Sequence, residues 1–506
     1  MKLRRVAAAV LLLVAPAFAL DGEPGMHDPS TVIQADGKFY VYATGNGLPA
    51  FVSDDGWAWR RAGSVMQAVP GGRPGPDVIA RGGNNSWAPD VVHIGNQYFL
   101  YYSAPGPQPK SAIGLLIGKT LDPASPDYKW EDGGPIVWSD GVEDSNAIDP
   151  GVLHDPTNGT LWLTYGSYFG YIRLVELNPK TGKRLHPELK PVNIAINSEA
   201  SIMIFHDGWY YLLVTHGSCC AGGNSSYNIR MGRSKKVTGP FLDNMGVDMI
   251  QGGGKLFAGS NGRHIGPGHF GLIDLGEGVQ KFSCHYESDL DRGGASVLDI
   301  RPLLWRDGWP VAGENFTAGT YEIQSARTGT ALEMAVQGVP VGGGRGRGGR
   351  GGAGAPAGRG EPAIPPVVTP IAAQEAAQVS ANWPPGPVDV RMAPYMVQAQ
   401  QKWAITPVAN VGGYPGSPFF KITIAGTDRA LAATEDAELA VVPAFTGGPE
   451  QLWRIDQLTD GTYRVMPKAV PNAKEPLALS AVGSSSPTLA KFRADSDRQR
   501  WSIVAP

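Results

Sequence analysis

The chain has 506 residues, which predicts two or three domains, and its 42% apolar and 18% charged residues exclude a mostly disordered polymer. Its 68 glycines and 43 prolines exceed what long helices tolerate, so an all-β, turn-rich protein is expected. A formal net charge of −3 gives no basis for binding nucleic acid, and three cysteines exclude a disulfide-built scaffold.

Residues 1–20 read as a signal peptide. Lys2, Arg4 and Arg5 precede an apolar core, Val6 to Val14, and Ala17-Phe18-Ala19 fits a peptidase site. No other stretch approaches the ~18 apolar residues of a membrane span, so a secreted or periplasmic protein without a span is expected. Cys219 and Cys220 are adjacent and Cys284 stands apart, which allows one bridge at most; free thiols are the alternative.

Residues 21–316 carry a fivefold repeat. Asp28 leads into "TVIQADGKFYVYAT", Asp90 into "VVHIGNQYFLYYS", and Asp149 into "GVLHDPTNGTLWLTYGS". Glu199 leads into "SIMIFHDGWYYLLVTHG" and His269 into "FGLIDLGEGVQKFSCHY". Each unit alternates apolar and polar residues around a Gly-containing turn, the pattern of a β-hairpin. Leading residues 62, 59, 50 and 70 positions apart leave room for several strands per unit, which predicts a five-bladed β-propeller. The five leading side chains are then expected to meet around the central channel.

A second repeat occupies residues 317–506. Gln401-Lys402-Trp403, Gln451-Leu452-Trp453 and Gln499-Arg500-Trp501 place tryptophans 50 and 48 residues apart. These triplets resemble the ricin-type β-trefoil lectins, which implies a trefoil whose first unit is oversized by a Gly/Arg/Pro-rich insert at about 341–387. That composition cannot bury a core and is expected to be disordered. Gly344, Gly346 and Gly349 match G-x-G-x-x-G, but no strand precedes them and no helix follows, so a dinucleotide site is not expected.

Four of the five leading residues are acids, and Asp28, Asp149 and Glu199 among them are the candidates for chemistry. Glycoside hydrolysis needs one carboxylic acid to protonate the leaving oxygen and one carboxylate to activate water, and a third acid can tune the first. Serine-hydrolase elbows and zinc-protease helices are absent from the sequence.

The ordered motifs "HDPS", "WAPDV", "NAIDPG", "SYFG", "SEAS", "YNIRMGRS" and "IGPGH" resemble the five-bladed α-L-arabinanases of glycoside hydrolase family 43 over residues 24–316. The resemblance implies Asp28 as general base, Glu199 as general acid and Asp149 as the group that tunes its pKa, in an inverting reaction. It further implies Trp87, Asn146, Ser167 and His27 at the substrate, and His269 holding a metal, usually Ca2+, largely through water. The expected partner is plant cell-wall arabinan or arabinan-bearing pectin, cut at α-1,5 links by a monomer without an organic cofactor. Two alternatives remain open: an exo-acting arabinofuranosidase or xylosidase of the same clan, and a non-catalytic polysaccharide-binding propeller.

Overall fold

The computed structural model describes residues 20–107, 110–142, 145–336, 375–483 and 485–506. The expected signal peptide, apart from Leu20, and the Gly/Arg run of the insert lie outside the described residues. The chain forms two compact units; the first runs to Thr317 and includes Ala409–Phe419 and Asp456–Gly461.

The first unit is a five-bladed propeller of antiparallel sheets. Blade 1 is built from Ile33–Ala35, Lys38–Tyr42, Pro49–Ser53 and Ala58–Ser64, with Asp21–Gly22 added in parallel at its outer edge. Blade 2 comprises Trp87–Ile94, Gln97–Pro105, Ser111–Gly118 and Trp130–Ser139. Blade 3 comprises Gly151–His154, Leu161–Tyr165, Tyr171–Leu177 and Val192–Ile196. Blade 4 comprises Glu199–His206, Trp209–His216, Asn228–Ser234 and Lys255–Ala258; blade 5 comprises His264–Asp274, Gln280–Asp289, Ala295–Arg306 and Trp309–Ala312.

Alternation along each strand gives every blade two apolar faces, and each face is buried against a neighbour. Tyr42 and Val52 of blade 1 share a buried cluster with Leu100 and Leu116 of blade 2, and Tyr101 and Leu115 of blade 2 share another with Leu163 of blade 3. Leu174 meets Leu212 between blades 3 and 4, and Met231 meets Phe282 between blades 4 and 5. Val41 and Leu298 close the circle between blades 1 and 5. The N-terminal segment secures that closure: Met26 N–H donates to the Ser296 carbonyl (3.1 Å) and Leu298 N–H to that of Pro24 (2.9 Å).

The second unit is also β. Trp403, Trp453 and Trp501 are each fully buried. Their Nε1 atoms donate to the carbonyls of Leu332 (2.9 Å), Leu431 (3.0 Å) and Leu479 (2.9 Å). Gln401, Gln451 and Gln499 end three matching 3-10 turns, and their Oε1 atoms accept from the N–H groups of Met396, Thr446 and Arg493. The threefold repetition is compatible with a trefoil.

Residues 375–387, the last part of the insert expected at about 341–387, are described and carry local structure. Ala376–Val379 forms a helical turn in which Glu375 and Gln378 cap each other's backbone, followed by the 3-10 turn Ser380–Asn382. Lys402 Nζ also pairs with Glu375 Oε1 at 2.9 Å. The segment "EAAQVSAN" has helix formers and a capping pair in place of Gly and Arg, which is why it is ordered.

Among the described residues no helix is long and apolar enough to cross a membrane. All three cysteines are free, and only Cys284 is buried.

Candidate active site

Every blade opens on a residue with positive φ: Asp28 (48°), Ala88 (38°), Asp149 (57°), Ala200 (49°) and His269 (53°). In blades 2, 4 and 5 this residue falls within a register shift of the innermost strand, between Trp87 and Asp90, Glu199 and Ile202, and Gly268 and Gly271. Such bulges free one N–H from the ladder and turn the adjoining side chains. The freed groups form a circle of bonds between blades. Asp28 N–H donates to His285 Nδ1 (3.2 Å), Ala88 N–H to Thr44 Oγ1 (2.7 Å) and Asp149 N–H to Ser103 Oγ (2.8 Å). Ala200 N–H donates to Asp149 Oδ2 (3.2 Å) and His269 N–H to Thr215 Oγ1 (3.1 Å). Backbone strain of this kind is maintained where the surroundings over-determine it, commonly at functional sites.

This phase corrects the sequence-based alignment in two places. Asp90 lies two residues beyond the leading position of its blade. It is buried and accepts the N–H groups of Thr31 (3.0 Å) and Val152 (2.8 Å), tying together blades 1, 2 and 3. Glu199 precedes its leading position by one residue and projects from the edge of the bulge. Pro29, Pro89, Pro150, Ser201 and Phe270, each next to a leading residue, line a cavity of about 10 Å³ that admits a single water at most.

Asp28 sits in a nest of histidines. Its Oδ1 is 3.0 Å from His269 Nδ1, while its Oδ2 is 2.9 Å from His27 Nδ1 and accepts from Thr44 Oγ1 at 2.7 Å. Burial alone would raise its pKa, but the His269 charge and hydrogen bond, followed by those of His27, hold it well below the usual carboxylate range. His27 reaches Glu287 Oε1 with Nε2 at 2.9 Å. Burial opposes its charge, yet bonds to Asp28 and Glu287 raise its pKa to about 11. Glu287, which burial would raise, is instead lowered to about 2 by His27 and His285. His285 is fully buried and burial pushes it down to about 4, which leaves its Nδ1 free to accept the Asp28 N–H. Asp28 is thus an ionised carboxylate held from both oxygens.

Asp149 is set up in the opposite sense. Burial first, then the charge of nearby Glu199, push its carboxyl up to about 8, against the opposing effect of His269. Glu199 accepts from Ser167 Oγ at Oε2 (2.7 Å) and from the Tyr227 hydroxyl at Oε1. The structure therefore gathers Asp28, Asp149, Glu199, His27, His269 and Ser167 in one electrostatic network. Asn146 is buried, and its Oδ1 accepts from Ser111 Oγ at 2.9 Å, so it braces the strand that delivers Asp149. Trp87 stays 39% exposed one residue before Ala88, where a ring can meet a ligand.

Tyr227, Thr44, His285 and Glu287 escaped the sequence reading. Tyr227 opens the quoted "YNIRMGRS" motif, and His285 and Glu287 lie in "SCHYES" on the second strand of blade 5. For a metal, the donor atoms gathered within 4.8 Å of one another at this site come from His27, Asp28 and His285. Calcium takes six to eight oxygens, and this set offers one carboxylate, so calcium on His269 would draw its shell mainly from water.

The propeller is similar to known proteins. Residues 23–310 match the family model "Glycosyl hydrolases family 43". The extracellular exo-α-(1→5)-L-arabinofuranosidase ArbA of Cellvibrio japonicus is 35% identical over 61% of this chain and 92% of its own length. The extracellular endo-α-(1→5)-L-arabinanase 1 of Bacillus subtilis is 32% identical over 56% of this chain and 87% of its own. The crystal structure of an exo-1,5-α-L-arabinanase from a bovine ruminal metagenomic library superposes with a TM-score of 0.51 at 36% identity, covering 59% of this chain and 100% of that one. A five-bladed ring with a shared carboxyl network, matched over most of its length by one family model, leads to one conclusion: the chain is a glycoside hydrolase and belongs to glycosyl hydrolases family 43.

Proposed function

We propose that this enzyme hydrolyses α-1,5-linked arabinan by inversion, with Asp28 as general base and Glu199 as general acid. The observation that carries the reading is the opposed environment of the carboxyls: Asp28 is kept ionised, whereas Asp149, beside Glu199, is kept protonated. Carboxyls driven apart in this way divide into acid and base roles. Asp28 takes a proton from water as that water attacks the anomeric carbon, and its own charge is balanced by His27 and His269. On the opposite side, Glu199 delivers a proton to the departing glycosidic oxygen. The charge of Glu199 keeps Asp149 protonated, so the pair holds one proton over the neutral range, and that proton passes to Glu199 as it serves the leaving oxygen. Ser167 and Tyr227 hold both Glu199 oxygens, so the acid is oriented before substrate binds.

The relatives named for extracellular action on arabinan support the substrate and export of this chain. Calcium, if bound, would rest near a neutral His269 largely through water, and its charge would then replace that of protonated His269 beside Asp28. A C-terminal trefoil built on the three tryptophans would follow the catalytic ring. The relatives include both exo- and endo-acting enzymes, so product size separates the two modes. Incubation with linear α-1,5-arabinan should release a ladder of oligosaccharides under endo action and a single short product under exo action. No release of reducing ends would overturn the proposal.

A further inference from the structure

We propose that Cys219 and Cys220 are a redox-modification site: a dithiol that closes to a vicinal disulfide and slows hydrolysis through Glu287. The two residues are adjacent and both are free. Cys220 is exposed and holds φ at 61°, a left-handed conformation that residues with a Cβ seldom adopt. Its N–H donates to Glu287 Oε2 at 2.9 Å. The other Glu287 oxygen holds His27 Nε2 at 2.9 Å, and His27 Nδ1 lies 2.9 Å from Asp28 Oδ2. One peptide N–H therefore begins a chain of contacts that ends on the base. Cys284 is buried in the cluster between blades 4 and 5 and does not compete for an oxidant.

Adjacent Cα atoms are ~3.8 Å apart, short of the ~4.4–6.8 Å that an ordinary disulfide spans. Closing the ring must therefore distort the peptide between the two cysteines. That peptide carries the N–H on which Glu287 relies. The oxidant is a small-molecule disulfide such as oxidised glutathione. One cysteine thiolate attacks it and releases one glutathione thiol; the second cysteine then displaces the other glutathione. Two S–H groups become one S–S bond, and one glutathione disulfide is reduced to two thiols. Partial desolvation, the neighbouring Cys219 and the nearby Glu287 and Asp28 charges push the Cys220 thiol up to about 12, so oxidation should quicken as pH rises.

The test uses the full chain, incubated with oxidised glutathione, then denatured, labelled with N-ethylmaleimide and weighed intact. The expected product is lighter by the two lost hydrogens and takes a label on Cys284 alone. Its kcat on arabino-oligosaccharides should be about tenfold lower, the size of one charge-assisted hydrogen bond. KM should be little changed, and a thiol reductant should restore kcat. A Cys219→Ser, Cys220→Ser double variant should show the same kcat with and without oxidant. Labelling of all three cysteines, or glutathione adducts that persist, would overturn the modification. A closed disulfide with unchanged kcat, or inhibition surviving in the double variant, would overturn the link to Glu287. That link rests on Asp28 as the base, whereas the mass measurement does not depend on hydrolysis, so the two failures are distinguishable.

Discussion

Replacing Asp149 by Asn should change how stability depends on pH, and the structure sets the sign. The native carboxyl stays protonated up to about 8, while the unfolded one ionises near 3.8. Between those values the unfolded state gains charge that the folded state resists, so stability falls as pH rises through this window. Each pH unit is worth ~1.4 kcal/mol, which bounds the loss at about 6 kcal/mol by pH 8. Structural relaxation and water entry around the ionised group reduce this to several kcal/mol. Asn keeps the shape and the acceptor for Ala200 N–H but cannot ionise. The low pKa of Asp28 acts in the reverse direction, lost as pH falls, and cancels between wild type and variant. Thermal melts of both proteins at pH 4, 5, 6, 7 and 8 give the comparison. The melting temperature of the variant relative to wild type should climb with pH by several degrees, at ~1–2 °C per kcal/mol for a unit of this size. Parallel profiles across pH 4–8 would refute the assignment of a raised pKa to Asp149.

Glu199→Gln and Asp28→Asn should each lower kcat by ~10²-fold or more with melting temperature nearly retained, measured by reducing-sugar release, because each preserves shape and removes the proton chemistry. Tyr227→Phe removes one of the two hydroxyls on Glu199 and should lower kcat more than it raises KM; steady-state kinetics on a defined oligosaccharide decides. Asp90→Ala leaves two part-buried N–H groups without their acceptor and should destabilise the propeller by ~1–3 kcal/mol, visible in urea melts. Deleting residues 342–374 should leave the melting temperature unchanged, whereas extending the deletion to 384 should lower it, because Glu375 and the capped turn are then lost.

The propeller was legible because its repeat is carried by alternation and turn residues, which are local properties. Asp36-Gly37 and Asp207-Gly208, for example, have positive φ at both positions, as the hairpin reading requires. The phase of the blades was less legible. The leading position is defined by backbone twist, and Ala88 and Ala200 occupy it without any polar signature, whereas Asp90 and Glu199 nearby carry one. Asp28, Asp149 and Glu199 stand out in the sequence because an acid beside a strand start is visible in one dimension. Their partners were not. Thr44, Tyr227, His285 and Glu287 reach the site from later strands, and only ring closure brings Glu287 to His27, 260 residues away. The tryptophan triplets carry the threefold C-terminal pattern, whereas the turn at Ala376–Val379 is not visible in composition, since Glu375 and Gln378 make a cap only as a pair.

The most direct test of the central claim is time-resolved proton NMR of linear α-1,5-arabinan incubated with wild type, Glu199→Gln and Asp28→Asn. Wild type should release new reducing ends first seen in the β configuration, inverted from the α linkage, and both variants should release almost none on the same timescale. First-formed α anomers, or turnover by either variant near the wild-type rate, would contradict the account.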